Sequence, residues 1–178
     1  RVALITGIHR MNDTTTRDYS MADIAGKKVS HRVALASGRI TVGPEAFELL
    51  KNKALPKGDA LALAEFAGIQ AAKQTPSLIP LCHPIALNRV MIHSFPRPED
   101  ESVEVFCVAE IAERTGVEME ALTGVSVALL TIWDLVKPVN PALQITNTRL
   151  LYKAGGKRGT WIHPDGLPAE VEELIAEL

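Results

Sequence analysis

The run 102–114 alternates apolar side chains in a way that leaves neither side of a strand wholly polar. One side carries Val103, Val105, Cys107, Ala109 and Ile111, while the other still presents Phe106 and Val108 between Glu104 and Glu110. The outer side of a water-facing antiparallel sheet is polar throughout. This strand therefore demands cover on both faces. Helices supply one cover; for the other the expectation is a partner subunit, which makes the chain a homo-oligomer.

The remaining elements follow from periodicity and punctuation. Residues 1–20 open with the short apolar run Val2-Ala3-Leu4-Ile5 and then turn polar, which reads as an irregular N-terminal arm. A β-branched, alternating stretch over 32–42 predicts a strand, and Gly43-Pro44 ends it and opens a helix to about residue 53, since Pro suits the first helical position. Asp59 is placed to cap a second helix, rich in Ala and Leu, that runs to about residue 74 and is closed by Pro76. Strands over 88–95 and 102–114 form a hairpin across a Pro-stiffened loop, 96–100. A long helix over 117–136 stops at Pro138, and a last strand covers 142–153. Residues 154–159 are a flexible basic loop, and 168–178 a short acidic amphipathic helix or tail. Strand, two helices, two strands, helix, strand is the split βαβ order with one extra helix. It predicts an α+β fold with a four-stranded antiparallel sheet and helices packed on one face.

Composition narrows the function classes. At 178 residues and 47% hydrophobic content, the chain holds one domain with a substantial core. Its net charge of -2 supplies no global field toward nucleic acid or an anionic membrane, so neither is an expected partner. Cys82 and Cys107 are too few for a cysteine-only zinc site or a disulfide framework. One disulfide between them stays open, but a cytoplasmic setting is expected. Neither an apolar run of the ~20 residues of a membrane span nor a secretory leader is recognised.

Chemistry concentrates in two segments, Ile79-Pro80-Leu81-Cys82-His83-Pro84 and Thr115-Gly116-Val117-Glu118-Met119-Glu120-Ala121-Leu122-Thr123. Turns bounded by Gly and Pro hold polar side chains at fixed geometry, as binding and catalytic groups require. Each residue also has a plainer role: Cys82 as a small buried hydrophobe, His83 as a backbone-bonded turn residue, Glu118 and Glu120 as first-turn carboxylates favoured by the helix dipole. Met119, Leu122, Ser126, Leu129, Trp133 and Val136 recur at helical spacing and mark the expected buried stripe. Asp134 and Lys137 are either a helix ion pair worth ~0.3–0.5 kcal/mol or a catalytic pair. They lie about 21 Å from Glu120 at 1.5 Å per residue, too far for one small ligand, so a reaction using both ends takes one of them from another subunit.

Lys57, Lys73, Arg32, Lys137, Lys153, Lys157 and Arg158 sit at element ends, and gathered together they form a phosphate cradle. Gly155-Gly156-Lys157 lacks the spacing of a nucleotide P-loop, and no strand is followed by GxGxxG. From residues alone, the chain is an oligomeric α/β protein with an anionic-ligand site.

The order Lys57-Gly58-Asp59, Ala67-Gly68-Ile69-Gln70-Ala71-Ala72-Lys73, Leu78 to Pro84, and Gly116 to Thr123 resembles the MoaC family, the cyclic pyranopterin monophosphate synthases of molybdenum cofactor biosynthesis. Met21-Ala22-Asp23-Ile24, Asp134 with Lys137, and Arg149-Leu150-Leu151 leading to Gly155-Gly156-Lys157 extend the resemblance over 21–159. It implies a ferredoxin-like catalytic domain over 21–159, between the 1–20 arm and a 160–178 tail, assembling as dimers into a hexamer with sites at subunit interfaces. The implied reaction converts a cyclised dihydro-GTP into cyclic pyranopterin monophosphate with release of pyrophosphate. By motif, Asp134, Lys137 and Lys57 are the catalytic residues. Leu81, Cys82, His83, Met119 and Glu120 line the substrate site, Glu118, Lys73 and Arg32 support it, and Asp23 is a weaker candidate. No resident metal is implied; Mg²⁺ is expected only with the substrate phosphates.

The residue types suit that chemistry. Rebuilding a purine-derived ring requires proton transfers, for which Lys137 beside Asp134 is the expected acid and base. Closing a cyclic phosphate builds charge on phosphoryl oxygens, which Lys57, Lys73 and Arg32, with Lys157, are expected to stabilise. His83 orients the ligand or relays a proton, and Glu118 or Glu120 recognises a guanine-like N–H edge. A non-catalytic nucleotide or pterin sensor is the rival reading, and a purely structural assembly protein the second.

Overall fold

Ser30–Thr41 forms the strand β1, the middle of a sheet built wholly from antiparallel pairs. The computed structural model describes residues 19–176, so the expected 1–20 arm lies almost entirely outside the described residues. After β1 come α1 (Pro44–Lys51), α2 (Ala60–Lys73), α3 (Thr75–Leu78), β2 (Arg89–Arg97) and β3 (Ser102–Glu113). The chain continues with α4 (Glu118–Val136), β4 (Gln144–Ala154), β5 (Trp161–Ile162) and α5 (Ala169–Ala176). Strand order is β2-β3-β1-β4-β5, a ferredoxin-like α+β sheet with a fifth strand beyond the four expected. That strand pairs Ile162 with Tyr152 and Trp161 with Lys153, and two residues are too few to leave a readable alternation.

Local chemistry explains the helix boundaries. Pro44 occupies the first turn of α1, and the Asp59 carboxylate accepts from the Ala62 N–H at 3.2 Å to cap α2. Pro76 does not close α2 into a coil; it lies in the first turn of α3, where its missing N–H is harmless. Pro96 and Arg97 belong to β2 rather than to the hairpin loop, because on an edge strand a proline leaves no ladder bond unmade on its open side.

The main core lies between the sheet and the helices α1, α2 and α4, with Ala34, Ala36 and Ile40 of β1 and Val105, Cys107 and Ala109 of β3 facing Val125, Leu129 and Ile132 of α4. Of the expected α4 stripe only Leu129 and Val136 are buried; Leu122, Ser126 and Trp133 are half-buried, and Met119 is 39% exposed. The buried arc instead includes Ala121, Gly124, Val125 and Ala128. Close approach to the sheet and to α2 is made by small residues, which a search for large apolar side chains passes over. The helix, 19 residues long with mean hydropathy 1.5, does meet the length and composition of a membrane span, contrary to expectation. Its apolarity follows from packing one side on the sheet and another against α2, while Leu130 stays exposed.

The second sheet face corrects the opening inference. Val33, Leu35, Phe106, Val108 and Leu151 are covered by Val171 and Leu174 of α5, with Met91 and Phe95 at the margin. Spaced three apart on one turn, Val171 and Leu174 give the acidic helix its single apolar stripe. Cover expected from a partner subunit thus comes from the chain's own C-terminal helix.

Candidate active site

Arg32 enters at the start of β1, and its guanidinium donates from Nε to the Glu113 carbonyl at 2.9 Å and from Nη2 to the Arg114 carbonyl at 3.2 Å. Gly155 and Gly156, with φ of 95° and 74°, fold the end of β4 over it. A Cβ on Gly155 would strike the His31 carbonyl oxygen, and one on Gly156 would meet Arg32 Nη1 at 2.5 Å. The result is a cleft of about 660 Å³ whose cations are Lys27, Lys28, Arg32, Lys153, Lys157 and Arg158, with Glu118 the carboxylate among its lining residues.

A smaller hollow of about 210 Å³ adjoins it, lined by Leu81, Cys82, His83, Met119 and Glu120 together with Ala22 and Ile24. Lys27, Gly116 and Glu118 line both. The two are therefore lobes of one trough around the start of α4. Lys153 Nζ donates to Glu118 Oε1 at 2.9 Å. Burial is the largest single influence and acts to raise the Glu118 pKa, but the Lys153 hydrogen bond, a backbone N–H and the charges of Lys153 and Arg32 together outweigh it and hold the carboxyl below its ordinary value. Glu120 is 3% exposed, and among the described residues no cation pairs with it. Burial, then the charge of Glu118, pushes its carboxyl up. The Cys82 thiol is likewise raised, by burial and then by Glu120, so it is a poor thiolate nucleophile.

His83 Nε2 lies 2.8 Å from the Ala22 carbonyl oxygen, which can only accept, so Nε2 carries the proton. In the neutral ring Nδ1 is then an acceptor, with no partner among the described residues. Asp23 turns away, its Oδ1 accepting from the Ala25 N–H at 2.9 Å, and it lines neither lobe.

Lys57, Asp134 and Lys137 gather elsewhere. Lys57 Nζ donates to Asp134 Oδ2 at 2.7 Å and to its carbonyl at 3.2 Å, and Lys137 Nζ approaches Oδ1 at 2.6 Å. Lys137 first and Lys57 second hold the Asp134 carboxyl down to about 2, so it stays ionised. The Lys57–Asp134 bond and the contact of Gly68 with Gly124 show that α2 and α4 run antiparallel. Lys73, exposed at the end of α2, consequently falls at the Glu118 end but lines neither lobe.

The residues singled out from sequence thus form two groups at opposite ends of α4. Arg32, Leu81, Cys82, His83, Glu118, Met119 and Glu120 share the trough; Lys57, Asp134 and Lys137 share the cluster. Sequence reading missed Lys27 and Lys28, whose signal was a pair of cations following Gly26 just before a strand.

A ferredoxin-like sheet with a cation-lined trough at one end of its central helix defines the class: an α+β protein with a basic cleft. The chain belongs to the MoaC family, whose sequence model matches residues 21–156. It is 50% identical over 141 residues to the cyclic pyranopterin monophosphate synthase of Streptomyces avermitilis, covering 79% of this chain and 82% of that protein. Proteins of the same name from Nocardioides sp. and Rhodospirillum rubrum are 49% and 45% identical, over 81% and 83% of this chain and 89% of each relative.

Proposed function

We propose that the chain is a cyclic pyranopterin monophosphate synthase, converting cyclised dihydro-GTP into cyclic pyranopterin monophosphate and pyrophosphate in the cytoplasm. The observation that carries this reading is the continuity of a basic lobe and a carboxylate-bearing lobe across Lys27, Gly116 and Glu118. A ligand with a triphosphate at one end and a guanine-derived ring at the other matches that polarity. Lys27, Lys28, Arg32, Lys153, Lys157 and Arg158 take the phosphates, and Glu118 and Glu120 accept from the N–H edge of the ring.

In the phosphoryl step a ribose-derived hydroxyl attacks the α-phosphorus, the bond to the bridging oxygen breaks, and pyrophosphate leaves carrying the charge. The basic lobe stabilises that charge as it forms. His83 Nδ1 is free to take the proton that the hydroxyl loses. Ring rebuilding falls to Lys137 and Lys57: beside ionised Asp134 each ammonium is a proton donor, and a lysine that has delivered its proton becomes the base. Mg²⁺, where it takes part, travels with the phosphates.

One subunit holds the trough and the Lys–Asp–Lys cluster about 21 Å apart along α4, so a complete site takes the cluster from a neighbouring copy. Leu63 and Phe66 of α2 and Leu130 of α4 are exposed on the helical layer between the two ends, Phe66 by 74%, and give that copy an apolar seat. Dimers of this kind assemble further, with a hexamer as the proposed state. Purified protein supplied with cyclised dihydro-GTP is expected to release pyrophosphate and the pterin product together. Binding without turnover would favour the sensor, and neither binding nor turnover would sink the assignment.

A further inference from the structure

The family match ends at residue 156, yet the chain goes on to make a chain of specific contacts with the sheet. The first is β5 pairing with Tyr152 and Lys153. The His163 N–H then donates to the Leu151 carbonyl at 2.8 Å, and Arg149 Nη1 donates to Asp165 Oδ2 at 2.6 Å. Arg97 Nη1 donates to Glu170 Oε1 at 2.7 Å while its Nε and Nη2 hold Glu104 at 3.0 and 2.8 Å. Val171 and Leu174 finally bury against the sheet. Lys157 and Arg158 lie between the last residue of β4 and the first of these anchors, and both line the basic lobe.

We propose that the segment following Arg158 is a strap that presets the cationic loop of the trough, with Arg149, Asp165, Arg97 and Glu170 as its positioning residues. A loop carrying two cations and three glycines at positive φ, Gly155, Gly156 and Gly159, is entropically expensive to order on a ligand. Anchored at β4 on one side and by the strap on the other, it is ordered beforehand. This preorganisation appears as ligand affinity rather than as chemistry. The ligand assignment rests on the synthase reading; the structural coupling does not.

The test uses the full chain carrying Asp165→Asn and Glu170→Gln together, with Leu174→Asp as an independent release of α5. Hydrogen exchange is followed by mass spectrometry over 153–160 and 169–176, alongside calorimetric binding of inorganic tripolyphosphate. Both variants should exchange faster over 153–160 as well as over α5. Tripolyphosphate binding and KM should weaken roughly three- to tenfold while kcat stays within about twofold. Faster exchange in α5 with unchanged exchange over 153–160 would overturn the strap. Equal loss of kcat and kcat/KM would overturn it too, since that pattern belongs to a group acting in the transition state. Wild-type protein that ignores tripolyphosphate would sink the phosphate assignment of the lobe, and the exchange result would still decide the strap.

Discussion

Glu118 and Glu120 sit two residues apart and are driven in opposite directions, one held ionised by Lys153 and one raised by burial without a cation. For a carboxyl raised on folding, stability is fully present below the unfolded pKa and lost as pH rises through the folded one. Glu120→Gln should therefore raise Tm at pH 8, with the gain vanishing near pH 4, while substrate binding weakens; thermal scans across pH decide it. Asp134 has the opposite sign. Its stabilisation is present above the ordinary carboxylate pKa and lost only as pH falls through about 2, so an acidic limb in kcat/KM at higher pH belongs to another group. Lys137→Ala should lower kcat roughly 10²–10⁴-fold with folding intact, and unchanged turnover would remove Lys137 from the chemistry. Glu118 and Glu120 could be singled out from sequence because a Gly-bounded motif carries them, and Asp134 and Lys137 through the family resemblance. The shifts could not, since Lys153 reaches Glu118 from 35 residues away.

At the scale of elements, the helix pair α2–α4 sets the geometry of both ends. A Cβ on Gly68 would sit 2.9 Å from the Gly124 carbonyl oxygen, and one on Gly124 would sit 2.8 Å from Cys107 Sγ. Backbone cannot give way as a side-chain tip can. Gly68→Ala is expected to cost about 1–3 kcal/mol as overpacking, or roughly 2–4 °C of Tm per kcal/mol for a chain of this size. Calorimetric unfolding measures it, and an unchanged Tm would show that the helices part freely. The same close packing explains what periodicity misread: Gly124, Ala121 and Ala128 carry the contact, while Met119 looks outward toward the trough. Strand and helix existence was readable from alternation and caps, Asp59 above all. Extents shifted where proline was tolerated, at Pro76 and Pro96.

For the whole molecule, the βαβ order in sequence sufficed for the four long strands of the sheet though not for β5, and the two-sided apolar strand β3 was matched to the wrong cover. An eight-residue acidic helix gave no hint that its two-residue stripe reaches Phe106 and Val108. Oligomerisation stands instead on the separation of the two polar groups along α4 and on the exposed Leu63, Phe66 and Leu130. If sites are shared, mixing Lys137→Ala with the binding-impaired Glu120→Gln at subsaturating substrate should give more turnover than either variant alone, through hybrid sites. Turnover of the mixture no higher than that of either variant would place each site within one chain. The strand order carries a further consequence. β1 is made early but sits between β3 and β4, with Ile40 paired to Val103 on one side and Ile145 on the other. Its second edge stays open until about a hundred more residues have been synthesised, roughly 5–20 s at ribosomal speed. Folding is thus governed by long-range pairing and finishes late, and during that interval the nascent Val33-Ala34-Leu35-Ala36 edge is the part of the chain most in need of a chaperone.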